Sequence, residues 1–286
     1  MNLAHKLVIG TAQFGLNYGI NNQSGQVSKT EVKAILNSAY NIGLRTLDTS
    51  SAYGTSELVL GEVLEEHPMI FRIISKYPQS LHGVEDTLRK SLLDLRQNQL
   101  YGYLVHHFEF YRANPSLWND MVRLKENGLI QKIGFSLYSP NQLEYLLNKN
   151  IHFNLLQFPY NIFDRQFEPC FSLLKELNVE IHIRSVFLQG LFFKNISSLN
   201  ERLTPLTSYL QELYRYSNEN EISVEELALN YVTMNPHIDG VLIGVDNKRQ
   251  LDLNIKALDK DIRSHDIDFV KSLNVKEYNL LNPANW

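Results

Sequence analysis

A single cysteine, Cys170, denies this chain of 286 residues any intrachain disulfide, so stability has to come from a packed core and not from covalent staples. No apolar run approaches the roughly 20 residues that a membrane-spanning helix needs. No long basic run exists and the net charge is −4, which argues against nucleic acid as the main partner. The stretch Met1 to Gly10 is too short and too polar for a secretory leader. Neither the histidines nor Cys170 have metal-ligand spacing with convergent partners, so no metal is expected. No linker or low-complexity segment divides the chain, which predicts one domain over 1–286. A soluble cytoplasmic protein fits these absences.

What is present is enough for one large core, with 44% hydrophobic residues and 20% charged. Apolar strand-like runs alternate with helix-like stretches from start to finish, the signature of a parallel α/β sheet. Strands are expected at Leu7–Gly10, Thr46–Asp48, Arg72–Lys76, Tyr101–Val105, Lys132–Phe135, Asn154–Phe158, Glu180–Arg184 and Val241–Ile243. The spacing Ser28-Lys29-Thr30-Glu31 predicts a capping box that opens the first helix. Further helices are expected at Glu57–Glu66 (stopped by Pro68), Val84–Leu95, Pro115–Asn127, Gln166–Leu177 and Asn247–Ala257. Eight strand–helix repeats in one domain give an α/β fold of the (β/α)8 TIM-barrel kind, with the site at the C-terminal face of the strands.

Three successive strand candidates end in chemistry. The first ends in Asp48 with Tyr53 five residues on, the second in Lys76, the third in His106. In a parallel barrel these ends converge on one face. A lysine held by a carboxylate favours a neighbouring phenolate and is expected to lower its pKa. A tyrosine tuned in that way can pass a proton to a carbonyl oxygen near neutral pH.

The chain resembles the aldo-keto reductases at this point. The resemblance rests on Gly10-Thr-Ala-Gln-Phe-Gly15, Leu47-Asp-Thr-Ser-Ser-Ala-Tyr-Gly54, Ser75-Lys76 and Tyr103-Leu-Val-His-His107, in order, and extends to about Asn254. It implies Asp48, Tyr53, Lys76 and His106 as the catalytic tetrad. Tyr53 would be the proton donor in NADPH-dependent reduction of an aldehyde or ketone, sugar-like in one reading, with NADH not excluded. The resemblance places Gly10, Thr11 and Asp48 at the cofactor, Ser136 and Gln157 on its nicotinamide amide, and the loop with Ser185, Leu188 and Gly190 around its pyrophosphate. Leu137 stands where the family usually has asparagine. The adenosine end would fall to Gly244, Asn247, Lys248, Arg249, Gln250 and Asn254. Gln250 occupies the usual position of the arginine for the 2′-phosphate, with Lys248 and Arg249 as substitutes beside it. Arg184 replaces a usual aromatic that stacks on the nicotinamide. A guanidinium can stack there too, or turn to a substrate carboxylate or phosphate, and both readings stay open.

Tyr18, His107, Phe108, Phe187 and Phe192 are the expected walls of the substrate pocket. Phe110, Trp118, Phe193 and Trp286 are further candidates, although aromatics also fill cores. Two other functions remain open. One is a cofactor-binding sensor or regulatory subunit on the same scaffold, since fold does not fix function. The other is an isomerase or aldolase using Lys76 as a Schiff base. A small carbonyl compound is the expected partner, and the oligomeric state is not readable.

Overall fold

Eight short apolar runs become eight parallel strands in the computed structural model, which describes residues 3–20, 22, 25–67 and 69–286. They are β1 (Leu7–Gly10), β2 (Thr46–Asp48), β3 (Arg72–Tyr77), β4 (Leu100–Val105), β5 (Ile130–Ser136), β6 (Leu155–Pro159), β7 (Glu180–Arg184) and β8 (Gly240–Gly244). Each pairs with the next, and β8 closes on β1, giving a closed barrel with helices in the crossovers. This is the expected (β/α)8 architecture.

The period of two along a strand decides what lies inside. In β3, Ile74 belongs to a small interior cluster with Leu104 and Leu155, whereas Ile73 belongs to the large core beneath the helices. Two residues above Ile74 stands Lys76, and two below it stands Arg72. The barrel interior is thus apolar at mid-height and polar at both mouths. In-register pairing sets the polar residues of the upper mouth side by side, with Gly10 opposite Asp48, Ser136 opposite Gln157 and Gly10 opposite Gly244.

Most helices begin and end close to their expected positions. Ser28 accepts from the Glu31 N–H and caps the helix Lys29–Asn41. Glu31, expected to bond back in a capping box, instead accepts from the Lys248 N–H at the start of the helix Lys248–Ala257. That exchange ties the first and last barrel helices together. The helix Ser56–Glu66 ends at His67, and Pro68 lies outside the described residues.

Two segments differ from expectation, and a third is a long irregular connection. The stretch after β4 forms two helices, Phe108–Ala113 and Leu117–Glu126, because a turn at Asn114 and Pro115 separates them. The stretch after β6 opens as a 3-10 turn at Glu168–Cys170 before the helix Phe171–Glu176; Pro169 supplies no N–H to a longer helix. The segment after β7 is a set of 3-10 turns, Leu188–Phe193, Ile196–Ser198 and Glu201–Leu206, which lead into the helix Thr207–Glu219. No helix among the described residues is long and apolar enough to cross a membrane.

Candidate active site

The upper mouth holds a cavity of about 610 Å3, walled by the ends of β1, β2, β5, β6, β7 and β8 and the loops beyond them. Asp48, Tyr53 and His106 face it. Lys76 lies just beneath, 1% exposed. Its ammonium bonds Asp48 Oδ1 and donates to the Thr49 carbonyl at 2.8 Å. The other Asp48 oxygen accepts from Gln157 Nε2 at 2.7 Å. A buried carboxylate with both oxygens bonded, one of them to a cation, is compensated for its burial.

Tyr53 sits on a turn that approaches the helix Ala12–Gly15 at backbone distance. A Cβ on Gly15 would lie 1.8 Å from the Tyr53 carbonyl oxygen, and one on Gly54 would lie 2.3 Å from the Gly15 carbonyl oxygen. Gly54 also has φ +56. Only glycines permit this contact, and it fixes where the phenol points. The Lys76 Nζ stands 5.2 Å from the centroid of the Tyr53 ring.

The charge states follow from burial. The Tyr53 phenol is pushed up, first by burial and then by the Asp48 charge, with Arg184 opposing. This is the opposite of the lowering expected from Lys76, because burial disfavours the phenolate. The Lys76 pKa is lowered by burial, against the pull of Asp48. His106 falls to about 2, through burial and then the nearby Lys76, His107 and Arg184 charges. Its imidazole is therefore neutral at ordinary pH. Ser50 Oγ already accepts from the Ala52 N–H at 3.2 Å, so its own hydrogen is free for His106 Nδ1 at 3.1 Å. With Ser50 as the donor, the proton of the neutral His106 ring is on Nε2. Ser50 was not singled out in the sequence; only its place beside His106 reveals it.

Thr11 takes a structural part. Its N–H and hydroxyl both donate to the Asp48 carbonyl, at 3.0 and 3.1 Å, and its side-chain oxygen accepts from Ser56. Thr11, Ser136, Gln157, Gly10 and Gly244 line the cavity. Arg184 lines it too, folded over Tyr138 with its guanidinium carbon 4.1 Å from the ring centroid and donating to the Leu137 carbonyl at 3.1 Å.

The loop after β7 turns through a run of left-handed residues: Ser185 at φ +63, Leu188 at +47, Gln189 at +52 and Gly190 at +93. Successive amides in such conformations form concavities suited to anions. Asn161 holds this shape, donating to the Ser185 carbonyl at 2.9 Å while its oxygen accepts from the Phe163 and Asp164 N–H groups. Asn161 was also missed in the sequence. Leu188 itself is buried and does not line the cavity; it contributes backbone shape.

At the far end of the cavity stand Asp246, Gln250, Leu253 and Asn254. Asp246 Oδ1 is buried without a hydrogen-bond partner. The other expected residues of that end are elsewhere. Asn247 accepts from the Gln250 N–H as a helix cap, Lys248 pairs with Asp252, and Arg249 is exposed; none of the three lines the cavity.

The aromatic walls divide. Tyr18, Phe187 and Phe193 line the cavity. Phe108, Phe192 and Trp118 are core residues instead, Phe192 packing on Phe163 and Trp118 stacking on Phe135. His107 is exposed and stacks on His106 at 4.8 Å, outside the cavity lining. Trp286 donates its indole N–H to the Leu280 carbonyl, and the tail reaches the rim through Asn282, Pro283 and Ala284. Among the described residues no cluster of three or more His, Cys, Asp or Glu is placed to hold a metal ion.

The cavity therefore has a polar catalytic end, an anion-suited loop along one side and a hydrogen-bonding far end, a layout that fits a dinucleotide. A family model described as the aldo/keto reductase family matches residues 6–275. Uncharacterized oxidoreductase YqkF of Bacillus subtilis (strain 168) is 24% identical over 278 residues, spanning 88% of this chain and 90% of that protein. Aldo-keto reductase family 1 member A1 of Sus scrofa is 30% identical over 149 residues, spanning 41% of this chain and 45% of that protein. Among solved structures, aldo-keto reductase AKR11C1 from Bacillus halodurans (holo form) superposes with a TM-score of 0.74 at 19% identity, covering 96% of this chain and 94% of that one. At that identity the superposition speaks for the fold alone.

Proposed function

The chain belongs to the aldo/keto reductase family of NAD(P)H-dependent oxidoreductases, and from that membership we propose that it reduces the carbonyl of a small aldehyde or ketone, with Tyr53 as the proton donor. The observation that carries the reading is the convergence of Tyr53 and His106 on one cavity directly above the Lys76–Asp48 pair. The nicotinamide cofactor, when bound, supplies hydride to the carbonyl carbon. The protein's part is to hold the carbonyl and protonate its oxygen.

The Nε2–H of neutral His106 donates a hydrogen bond to the substrate oxygen and orients it. Tyr53, kept in its phenol form by burial, carries the proton that the oxygen needs as charge builds on it. A phenol with a raised pKa is a weak acid towards water, yet an alkoxide is a far stronger base than phenolate, so the transfer is downhill. The Lys76 ammonium, 5.2 Å from the ring centroid, is close enough to stabilise the phenolate left behind. Ser136 and Gln157, at the β5 and β6 ends, would hold the nicotinamide amide, and the Ser185–Gly190 loop would hold the pyrophosphate.

Lys76 is buried, paired and beneath the cavity, which counts against a Schiff-base role. A pure sensor would have no need of the protonated phenol. The test is reduction of 4-nitrobenzaldehyde by parent protein and Tyr53→Phe, followed by nicotinamide absorbance. Turnover should fall by roughly 10²–10⁴, the usual cost of losing a general acid, with dinucleotide affinity retained. Equal turnover by the two proteins would remove Tyr53 from the mechanism.

A further inference from the structure

We propose that the site is built for NADH rather than NADPH, because the far end of the cavity presents carboxylates and no cation to the adenosine ribose. The inference rests on the dinucleotide reading above and concerns which dinucleotide is selected.

The catalytic residues and the left-handed loop leave one wall for the adenosine half: the end of β8 and the start of the helix Lys248–Ala257. The residues lining the cavity there are Asp246, Gln250, Leu253 and Asn254, with Glu225 contributed by the adjacent helix Val224–Thr233. The two helices pack against each other. Among the described residues, the only Lys or Arg lining the whole cavity is Arg184, and it belongs to the catalytic end, over Tyr138.

Lys248 and Arg249 are close in sequence but neither is part of the lining. Lys248 is held by Asp252 in an i,i+4 ion pair, and its backbone N–H is held by Glu31 at 2.6 Å. Arg249 is exposed and does not line the cavity. Helical geometry sets Lys248 off the face shared by 250 and 254, whereas Arg249 stands one turn before the lining residue Leu253 with its own side chain in solvent.

Asp246 is the discriminating group. Its N–H is held by Gln250 Oε1 at 2.7 Å, and Gln250 Nε2 donates to its Oδ2 at 3.2 Å. Its Oδ1 is buried with no partner. A buried carboxylate oxygen left without a donor is costly, and a turn of the side chain that brings Oδ1 to the cavity lets a ligand supply one. A ribose 2′-hydroxyl is such a donor, and an acidic residue at the ribose is how dinucleotide sites in other folds select the unphosphorylated form. A 2′-phosphate has no proton to give at neutral pH. It carries nearly two negative charges and would face Asp246 and Glu225 with no cation to balance them.

Binding measurements test this without turnover. Isothermal titration of parent protein should show NAD+ binding about tenfold or more tighter than NADP+, a gap set by one hydrogen bond and the charge repulsion. Asp246→Asn keeps the shape and the Gln250 contacts, and it should narrow the gap several-fold. Gln250→Arg should narrow it further by tightening NADP+. The double change Lys248→Ala with Arg249→Ala should leave the ratio where it was. NADP+ binding as tightly as NAD+ to the parent, or a large loss of NADP+ affinity in the double variant, overturns the inference. Failure of the parent to bind either form overturns both this inference and the reductase reading. Preference for NAD+ without carbonyl turnover on NADH upholds the inference and overturns the reductase reading alone.

Discussion

At the residue scale, the site depends on which groups are left uncharged. Burial and three nearby cationic or ionisable groups bring His106 to about 2, so its imidazole does not titrate anywhere near neutrality. The Tyr53 phenol, pushed up by burial and Asp48, stays protonated beyond its ordinary value. We therefore expect kcat/KM for carbonyl reduction to be flat from about pH 5 to 8, the range where an unperturbed histidine would titrate. An acid limb near pH 6.5 that disappears in His106→Gln would show that the imidazole does ionise. Ser50→Ala removes the bond that fixes the tautomer, and should lower kcat/KM about two- to tenfold, the worth of one hydrogen bond. The tetrad was legible in the sequence because each member closes a strand-like run or follows one closely. The sign of the Tyr53 shift was not legible, since it depends first on how deeply the phenol is buried and then on the Asp48 charge beside it. Ser50 was not legible either: a serine in a serine-rich turn carries no mark until His106 is seen beside it.

At the element scale, the strands were readable from apolar runs and their terminal residues, whereas the connections were not. Apolar content cannot tell a pocket aromatic from a core aromatic. Phe108 and Phe192 are buried in the core, Phe187 and Phe193 line the cavity, and all four come from the connections just beyond strand ends. The loop after β7 illustrates a different limit. Its motif was visible, but its shape rests on Asn161, which comes from the β6 end and reaches the Ser185 carbonyl. A non-glycine residue in the left-handed region costs about 1–2 kcal/mol, and Asn161 offsets that cost for Ser185. Asn161→Ala should loosen dinucleotide binding about tenfold and lower stability by about 1–2 kcal/mol, through the lost side-chain hydrogen bonds. The kcat at saturating cofactor should change much less. Titration calorimetry with urea unfolding checks both effects, and unchanged dinucleotide affinity would mean that the loop holds its shape unaided.

At the scale of the whole molecule, the barrel separates chemistry from stability by its two mouths. The lower mouth holds Glu180, which accepts from Tyr101 Oη and His182 Nε2, each at 2.7 Å, and is bonded by Lys132. These groups come from three strands, β4, β5 and β7, so one carboxylate ties strands on both sides of β6 at the lower mouth. The same period of two that carries Lys76 and Gln157 to the top carries Arg72, Lys132 and Glu180 to the bottom. Conversion of Glu180 to glutamine should therefore weaken the fold without touching catalysis. Burial raises the carboxyl pKa, but the bonds and charge from His182, Lys132 and Tyr101 outweigh it and hold the group well below its usual value of 4.5. A carboxyl lowered in the folded state adds stability above its unfolded pKa and loses it as the pH falls through the folded one. Glu180→Gln should thus cost about 1–3 kcal/mol at pH 7, as expected for donors stripped of a charged acceptor, with kcat close to that of the parent. The gap between the two proteins in urea should shrink steadily once the pH drops below about 4.5, the ordinary glutamate value, because the parent's carboxyl is then gaining the proton that the amide variant never needed. A gap that stays constant from pH 7 to pH 3, or a variant whose kcat falls along with its stability, would mean that the lower mouth does not act as an independent electrostatic clamp.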